Sequence, residues 1–229
     1  MNILKKYAVN CGVKIKQPYV SSSYFPLSEK DYIILDNRSK YGSNRYDLFC
    51  DVMPYIKDVL EKNNIEIYSF ESNEKDTIDG TKPFINLFKK QESYLIKNSK
   101  LVVACDNITN YFAAGFDIPS IGLYSAYPAD CTEPIWSDKH LSLESHRDGN
   151  LPGYGVSETP KAINFIEPEK IANNIFDKLG LEDRVEHETF YMGDHYPIKV
   201  VEVVPDFVPE KTFMENRALN LRMDYHFSE

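Results

Sequence analysis

Between residues 31 and 181, short runs of strand-forming residues alternate with stretches of helical period, and this alternation restricts the fold more than any other feature. "DYIILD", "IEIYSF", "KLVVAC" and "SIGLYS" are dense in β-branched, aromatic and small apolar residues, the pattern of strands covered on both faces. "YDLFCDVMPYIKDVLEKNN" repeats Leu48, Val52, Tyr55, Ile56, Val59 and Leu60 at helical spacing and closes at Asn63-Asn64. Pro54 inside it predicts a kink or a restart. Pro83 is expected to open a helix over "PFINLFKKQESYLIKNS", because a proline in the first turn loses no helical hydrogen bond. "NITNYFAAGF" reads as a further helix, and "EPEKIANNIFDKLG" as one started by Pro168 and ended by Gly180. Residues 126–159 read as a long irregular stretch.

That order predicts an α/β fold: a Rossmann-like, doubly wound, mainly parallel sheet with right-handed crossovers and helices on both faces. Residues 1–30 are then an N-terminal extension, 31–181 the Rossmann-like domain, and 182–229 a strand-rich C-terminal β extension. In the last part, "YPIKVVEVVPDF" and "NRALNLRMDYHFSE" either return to the sheet as extra strands, the commoner outcome, or begin a truncated second domain.

Charge narrows the partners. With 26 Lys and Arg against 35 Asp and Glu, the chain carries −9 and has no basic stripe, which argues against nucleic acid. No apolar run has bilayer length, and the N-terminus lacks the apolar core of a signal peptide, so a cytoplasmic protein is expected. Cys11, Cys50, Cys105 and Cys131 are dispersed without a CxxC pair and read as free thiols. Cys131, His140 and His146 match no common zinc spacing, and the sequence calls for no metal and no cofactor. Asp194 and His195 are adjacent and poorly disposed to act as an acid–base pair.

The stretch "LVVACDNITNYFAAGFDIPSIGLYS" holds the candidate site. A buried strand stops at Asp106 just where a helix starts, and in doubly wound sheets ligands sit beyond the carboxyl ends of the strands. Asp106 is expected to be the N-cap. The amides of Ile108, Thr109 and Asn110 would then face the crevice and suit a phosphate or diphosphate. The competing reading is a cap and nothing more. Small residues, Ala113, Ala114 and Gly115, let that helix approach the sheet closely. The loop "NRSKYGSNR" after the first strand brings Arg38, Lys40 and Arg45 to the same side, either as a solvated loop or as charge for a diphosphate. Tyr124 and Tyr127 are candidates for stacking on a sugar.

"NSKLVVACDNITNYFAAGFDIPSIGLYSAYPADCTEPIW" resembles the donor-binding half of GT-B glycosyltransferases, in particular the ADP-heptose:lipopolysaccharide heptosyltransferases of glycosyltransferase family 9. Asp106 matches the Asp of their Asp-Thr-Gly-Pro-Met-His motif, Ala113-Ala114 their alanine run, and Asp117-Ile118-Pro119 their turn before the next strand. Upstream, "YIILD" and "FINLFKKQESYLIKNSKLVV" have counterparts, and the resemblance spans about residues 31–181. It implies a nucleotide-sugar diphosphate held by Asp106, Asn107, Thr109, Asn110 and Tyr111, with Arg38, Arg45 and Arg147 supplying charge. Arg147 lies in "ESHRDGNLPGYG", near where the resemblance puts the base or ribose. The chain departs from the motif: Ile108-Thr109-Asn110-Tyr111 replaces Gly-Pro-Met-His, which removes the glycine that lets a diphosphate approach and the histidine that carries charge. The family works with two such domains, and this length accommodates one. Three readings follow. One is an enzyme that transfers a sugar to an acceptor the sequence does not name. The second is a GT-B-like binding or regulatory domain without chemistry. The third is a homo-oligomeric scaffold or assembly protein, for which an AT-rich, phage-like residue usage is the only hint.

Overall fold

The computed structural model describes residues 1–27, 30–72, 77–146, 158, 161–187, 200–203 and 218–221. They form two compact units, residues 1–188 and 189–229.

The first unit is built on a six-stranded, all-parallel sheet: β1 (Asp31–Asp36), β2 (Ile65–Glu71), β3 (Lys82–Ile85), β4 (Leu101–Cys105), β5 (Ser120–Tyr124) and β6 (His140–Glu144). Their order across the sheet is β3-β2-β1-β4-β5-β6, so the winding reverses between β1 and β4. Helices α1 (Ile3–Cys11), α2 (Phe49–Lys62), α3 (Lys89–Lys97), α4 (Ile108–Gly115), α5 (Ala129–Thr132) and α6 (Pro168–Leu179) surround it. The expected α/β, Rossmann-like sheet is therefore present. α3 packs on α4, and with Tyr32, Ile34, Tyr68, Phe70, Val102 and Ala104 they enclose one core. Alternation along the strands sends Ile33, Leu35 and Val103, all fully buried, to the opposite face. α2 packs on α6 and contributes Val52, Ile56 and Leu60 to the interior, with Ile171, Ile175 and Phe176 from α6.

Local chemistry explains most boundaries. α6 has Pro168 in its first turn and ends on Gly180 at φ 70°, a left-handed conformation that glycine adopts at little cost. α2 runs unbroken through Pro54, because five buried apolar residues anchor it and outweigh the one hydrogen bond proline removes.

Three expectations are corrected. Pro83 does not open a helix; it lies in β3, where Tyr68–Glu71 pair with Lys82–Ile85. β3 is an edge strand, where a missing N–H leaves no inner ladder bond unmade. The helix starts later, at Lys89, where the Gln91 side chain accepts the Phe88 amide at 3.1 Å. Residues 126–159 are not wholly irregular, since they contain α5 and β6. Finally, β7 (Val200–Val203) and β8 (Ala218–Leu221) do not extend the large sheet; they pair with each other in a separate parallel ladder that belongs to the second unit.

The segment before β1 is part of the first unit. The Ser23 amide donates to the Lys90 carbonyl at 2.9 Å, and Ser93 Oγ to the Ser21 carbonyl at 2.8 Å. Phe25 meets Phe84 edge-on, and Tyr24 meets Tyr94 in the same way. Among the described residues no helix is long and apolar enough to cross a membrane.

Candidate functional site

At the reversal of strand order, the carboxyl ends of β1 and β4 border a cleft of about 300 Å³. Its lining includes four cationic side chains, Arg38, Lys40, Arg45 and Lys89, against one carboxylate, Asp36. The opposite wall is the start of α4, with Asn107, Ile108 and Thr109.

Asp36 closes β1 and is fully buried. Its Oδ1 accepts the Arg38 amide at 3.0 Å and Arg38 Nε at 2.8 Å, and its Oδ2 accepts Arg38 Nη2 at 2.9 Å and Thr109 Oγ1 at 2.5 Å. Arg38 also donates from Nη1 to Glu92 at 2.6 Å, and Lys89 Nζ reaches the same carboxylate at 2.8 Å. Phe70 lies under the guanidinium, 4.9 Å from its ring centre. Burial works to raise the Glu92 carboxyl pKa, but hydrogen bonds from Arg38 and Lys89 outweigh it and hold the group below its ordinary value. Burial likewise opposes the Arg38 charge, and its bonds to Asp36 and Glu92 more than offset that, so the guanidinium stays protonated. The result is a charge-balanced network that fixes both walls of the cleft.

The helix cap sits one residue later than expected. Asn107, not Asp106, is the N-cap of α4: its Oδ1 accepts the Thr109 amide at 2.8 Å. Its Nδ2 donates to the Arg38 carbonyl at 2.9 Å and ties the β1 loop to α4. The first amides of a helix have no acceptor within it, and that of Ile108 is in that position at the cleft wall.

The structure therefore divides the expected site residues. Arg38, Arg45, Asn107 and Thr109 come together at the cleft. Arg38 is committed to two carboxylates, while Arg45 folds onto its own loop, donating from Nη2 to the Ser39 carbonyl at 3.1 Å. Asp106, Asn110 and Tyr111 are engaged elsewhere. Asp106 accepts Thr132 Oγ1 at 3.0 Å, and burial raises its carboxyl pKa. Tyr111 donates to the Thr132 carbonyl, and burial first, then the Asp106 charge, pushes its phenol up to about 12. Asn110 is buried and donates to the Cys105 carbonyl at 2.9 Å, holding α4 against the end of β4. Arg147, Asp194 and His195 lie outside the described residues.

Tyr124 is fully buried, and its hydroxyl meets His140 Nε2 at 2.9 Å; Tyr127 is exposed. His140 is also bonded at Nδ1 to Ser120 Oγ, and burial lowers its pKa to about 4, so the ring is neutral. Among the described residues no group of three His, Cys, Asp or Glu is disposed to hold a metal ion.

Asp36, Lys89, Glu92 and Ser72 are cleft or network residues that the sequence reading missed. Asp36 repeats the mark that singled out Asp106, an acid closing a buried strand, and that signal was available. Glu92 lies 54 positions from Arg38, with no local pattern to join them.

No protein-family model and no curated protein matches this sequence. Solved structures match its fold. E. coli heptosyltransferase WaaC, solved with ADP, aligns over 76% of this chain and 54% of its own, with a TM-score of 0.52 and 11% identity. The dodecameric iron-containing glycosyltransferase TibC from enterotoxigenic E. coli aligns over 74% and 50%, at 0.58 and 12%. A glycosyl transferase family 9 protein from Veillonella parvula aligns over 76% and 50%, at 0.50 and 14%. This chain is similar in fold to family 9 heptosyltransferases. It spans about half the length of those proteins, at low identity.

Proposed function

We propose that the cleft binds a nucleotide-activated sugar through its diphosphate and that the protein transfers the sugar to an acceptor. The observation that carries this reading is the meeting of four cationic side chains with the N-terminus of α4 at the reversal point of the sheet. Lys40 and Arg45 supply positive charge, Lys89 adds what its pairing with Glu92 leaves, and the Ile108 amide supplies a donor at the positive end of a helix dipole. Arg38 holds the β1 loop in place through Asp36 and Glu92 rather than by spending its charge on the ligand. During transfer the bond from the sugar's anomeric carbon to the diphosphate oxygen breaks, a bond to an acceptor oxygen forms, and the acceptor gives up a proton. The charge that builds on the leaving nucleoside diphosphate is what these groups stabilise. The fold similarity to a heptosyltransferase solved with ADP adds support.

Calorimetric titration of the full chain with ADP, UDP and their sugar conjugates tests the binding step. Arg45→Ala and Lys40→Ala should each weaken binding by about tenfold, the worth of one charge-assisted hydrogen bond. Absence of nucleotide binding, or variants that bind like the parent, would overturn the proposal. Ile108 favours a second reading, binding without transfer: it is half exposed on the cleft wall, where a glycine would admit a diphosphate more closely. Nucleotide-sugar binding with no release of nucleoside diphosphate across a panel of acceptors would select that reading.

A further inference from the structure

A second hollow adjoins the cleft. It encloses about 660 Å³, the size of a small-molecule site, and its walls are apolar: Leu4 from α1, Val20, Tyr111 and Phe112 from α4, and Trp136. Lys89 and Ile108 line both hollows, so the two meet there. The charged residues of its lining are Lys89, which is paired with Glu92 at 2.8 Å, and the exposed Lys90. The outer wall is held by specific contacts. Gln17 Nε2 donates to the Gly115 carbonyl at 3.0 Å, and Ser21 and Ser23 are bonded to Ser93 and Lys90. Gly115 has no side chain where Val20 packs; a Cβ there would come within 2.6 Å of Val20 Cγ2.

We propose that this groove binds the hydrocarbon part of an anionic amphiphile, with the charged end at Lys89 and Lys90 beside the cleft. Concave apolar walls favour a hydrocarbon, and a rim with two ammonium groups favours an anionic over a cationic or neutral head. Its role as the acceptor substrate rests on the nucleotide-sugar reading of the cleft; the binding itself does not. A phosphate monoester of a long-chain alcohol, linear or isoprenoid, has the required chemistry.

Trp136 is the chain's single tryptophan and lines the groove, so its emission reports occupancy. The full chain is titrated with octyl phosphate and decyl phosphate below their micelle concentrations, with farnesyl phosphate as the isoprenoid arm. A saturable change in Trp136 emission is expected, about tenfold tighter for decyl than for octyl, as burial of further methylenes requires. Inorganic phosphate and decyltrimethylammonium should leave the emission unmoved. Phe112→Asp should abolish the response, and Lys90→Glu, at an exposed position that folding tolerates, should weaken decyl phosphate by about tenfold. No response to any of the anionic amphiphiles, or an equal response to the cationic one, overturns the proposal. Calorimetry with ADP on the same samples separates the two readings. ADP binding without amphiphile binding removes the groove alone, and amphiphile binding without ADP binding removes the cleft reading alone.

Discussion

Arg38→Ala tests the network that frames the cleft. The side chain is 14% exposed, and the carboxylates it joins, Asp36 and Glu92, are 0% and 2% exposed, so the variant strands buried charge. Removing one partner of a buried pair costs about 3–5 kcal/mol. Two survivors moderate this loss: Asp36 keeps Thr109 Oγ1 and the residue-38 amide, and Glu92 keeps Lys89. The lower end, about 3 kcal/mol, is therefore expected. In a chain of this size that lowers Tm by about 6–12 °C. The loss also depends on pH. Glu92 titrates below its ordinary 4.5 in the native protein, so its contribution is present above 4.5 and disappears as pH falls through the lowered value. In the variant, burial opposes only Lys89, and acid relieves the stranded charge. Urea unfolding of both proteins at about pH 7 and about pH 3.5 should show a full gap at the first and a narrowed gap at the second. Asp36→Asn/Arg38→Met/Glu92→Gln, which removes the charges together, should recover at least half of the loss. A gap below about 1 kcal/mol at neutral pH, or one that acid leaves unchanged, would refute the reasoning.

Two further substitutions probe the frame. Asn107→Ala removes the α4 cap and the tie to the Arg38 carbonyl, and should cost about 1 kcal/mol in urea unfolding while weakening nucleotide binding in calorimetry. Gly122→Ala sets a Cβ 2.5 Å from the Tyr124 ring and 2.9 Å from His140 in a fully buried strand, and should cost about 1–3 kcal/mol by the same measurement, through overpacking.

The fold was legible wherever burial was complete. Ile33, Ile34 and Leu35 in β1 and Val102, Val103 and Ala104 in β4 are fully buried, and such strands announce themselves as apolar runs. β3 and β6 are the sheet edges, half covered, with Lys82, Pro83, Ser142 and Glu144 in them, so their composition resembles loop. Pro83 misled because proline suits a helix start and an edge strand equally well, and only pairing with β2 decides between them. The site followed the same rule. Asn107 and Thr109 were legible from the junction of strand and helix, whereas Glu92 entered through its pairing with Arg38, 54 positions away, and Lys89 through its bond to Glu92 three positions on, a local spacing that gives no sign of the cleft until the long-range pair is known.

The strap ahead of β1 has a practical meaning for anyone dissecting this protein. Val20 seats in the notch that Gly115 leaves, and Phe25 and Leu27 shield the apolar flank formed by α3, α4 and their strands. A recombinant fragment trimmed to begin at Asp31 would carry that flank bare into solution and invite precipitation. Cloning boundaries drawn from strand–helix alternation alone would thus discard a piece of the hydrophobic interior while seeming to remove only a leader.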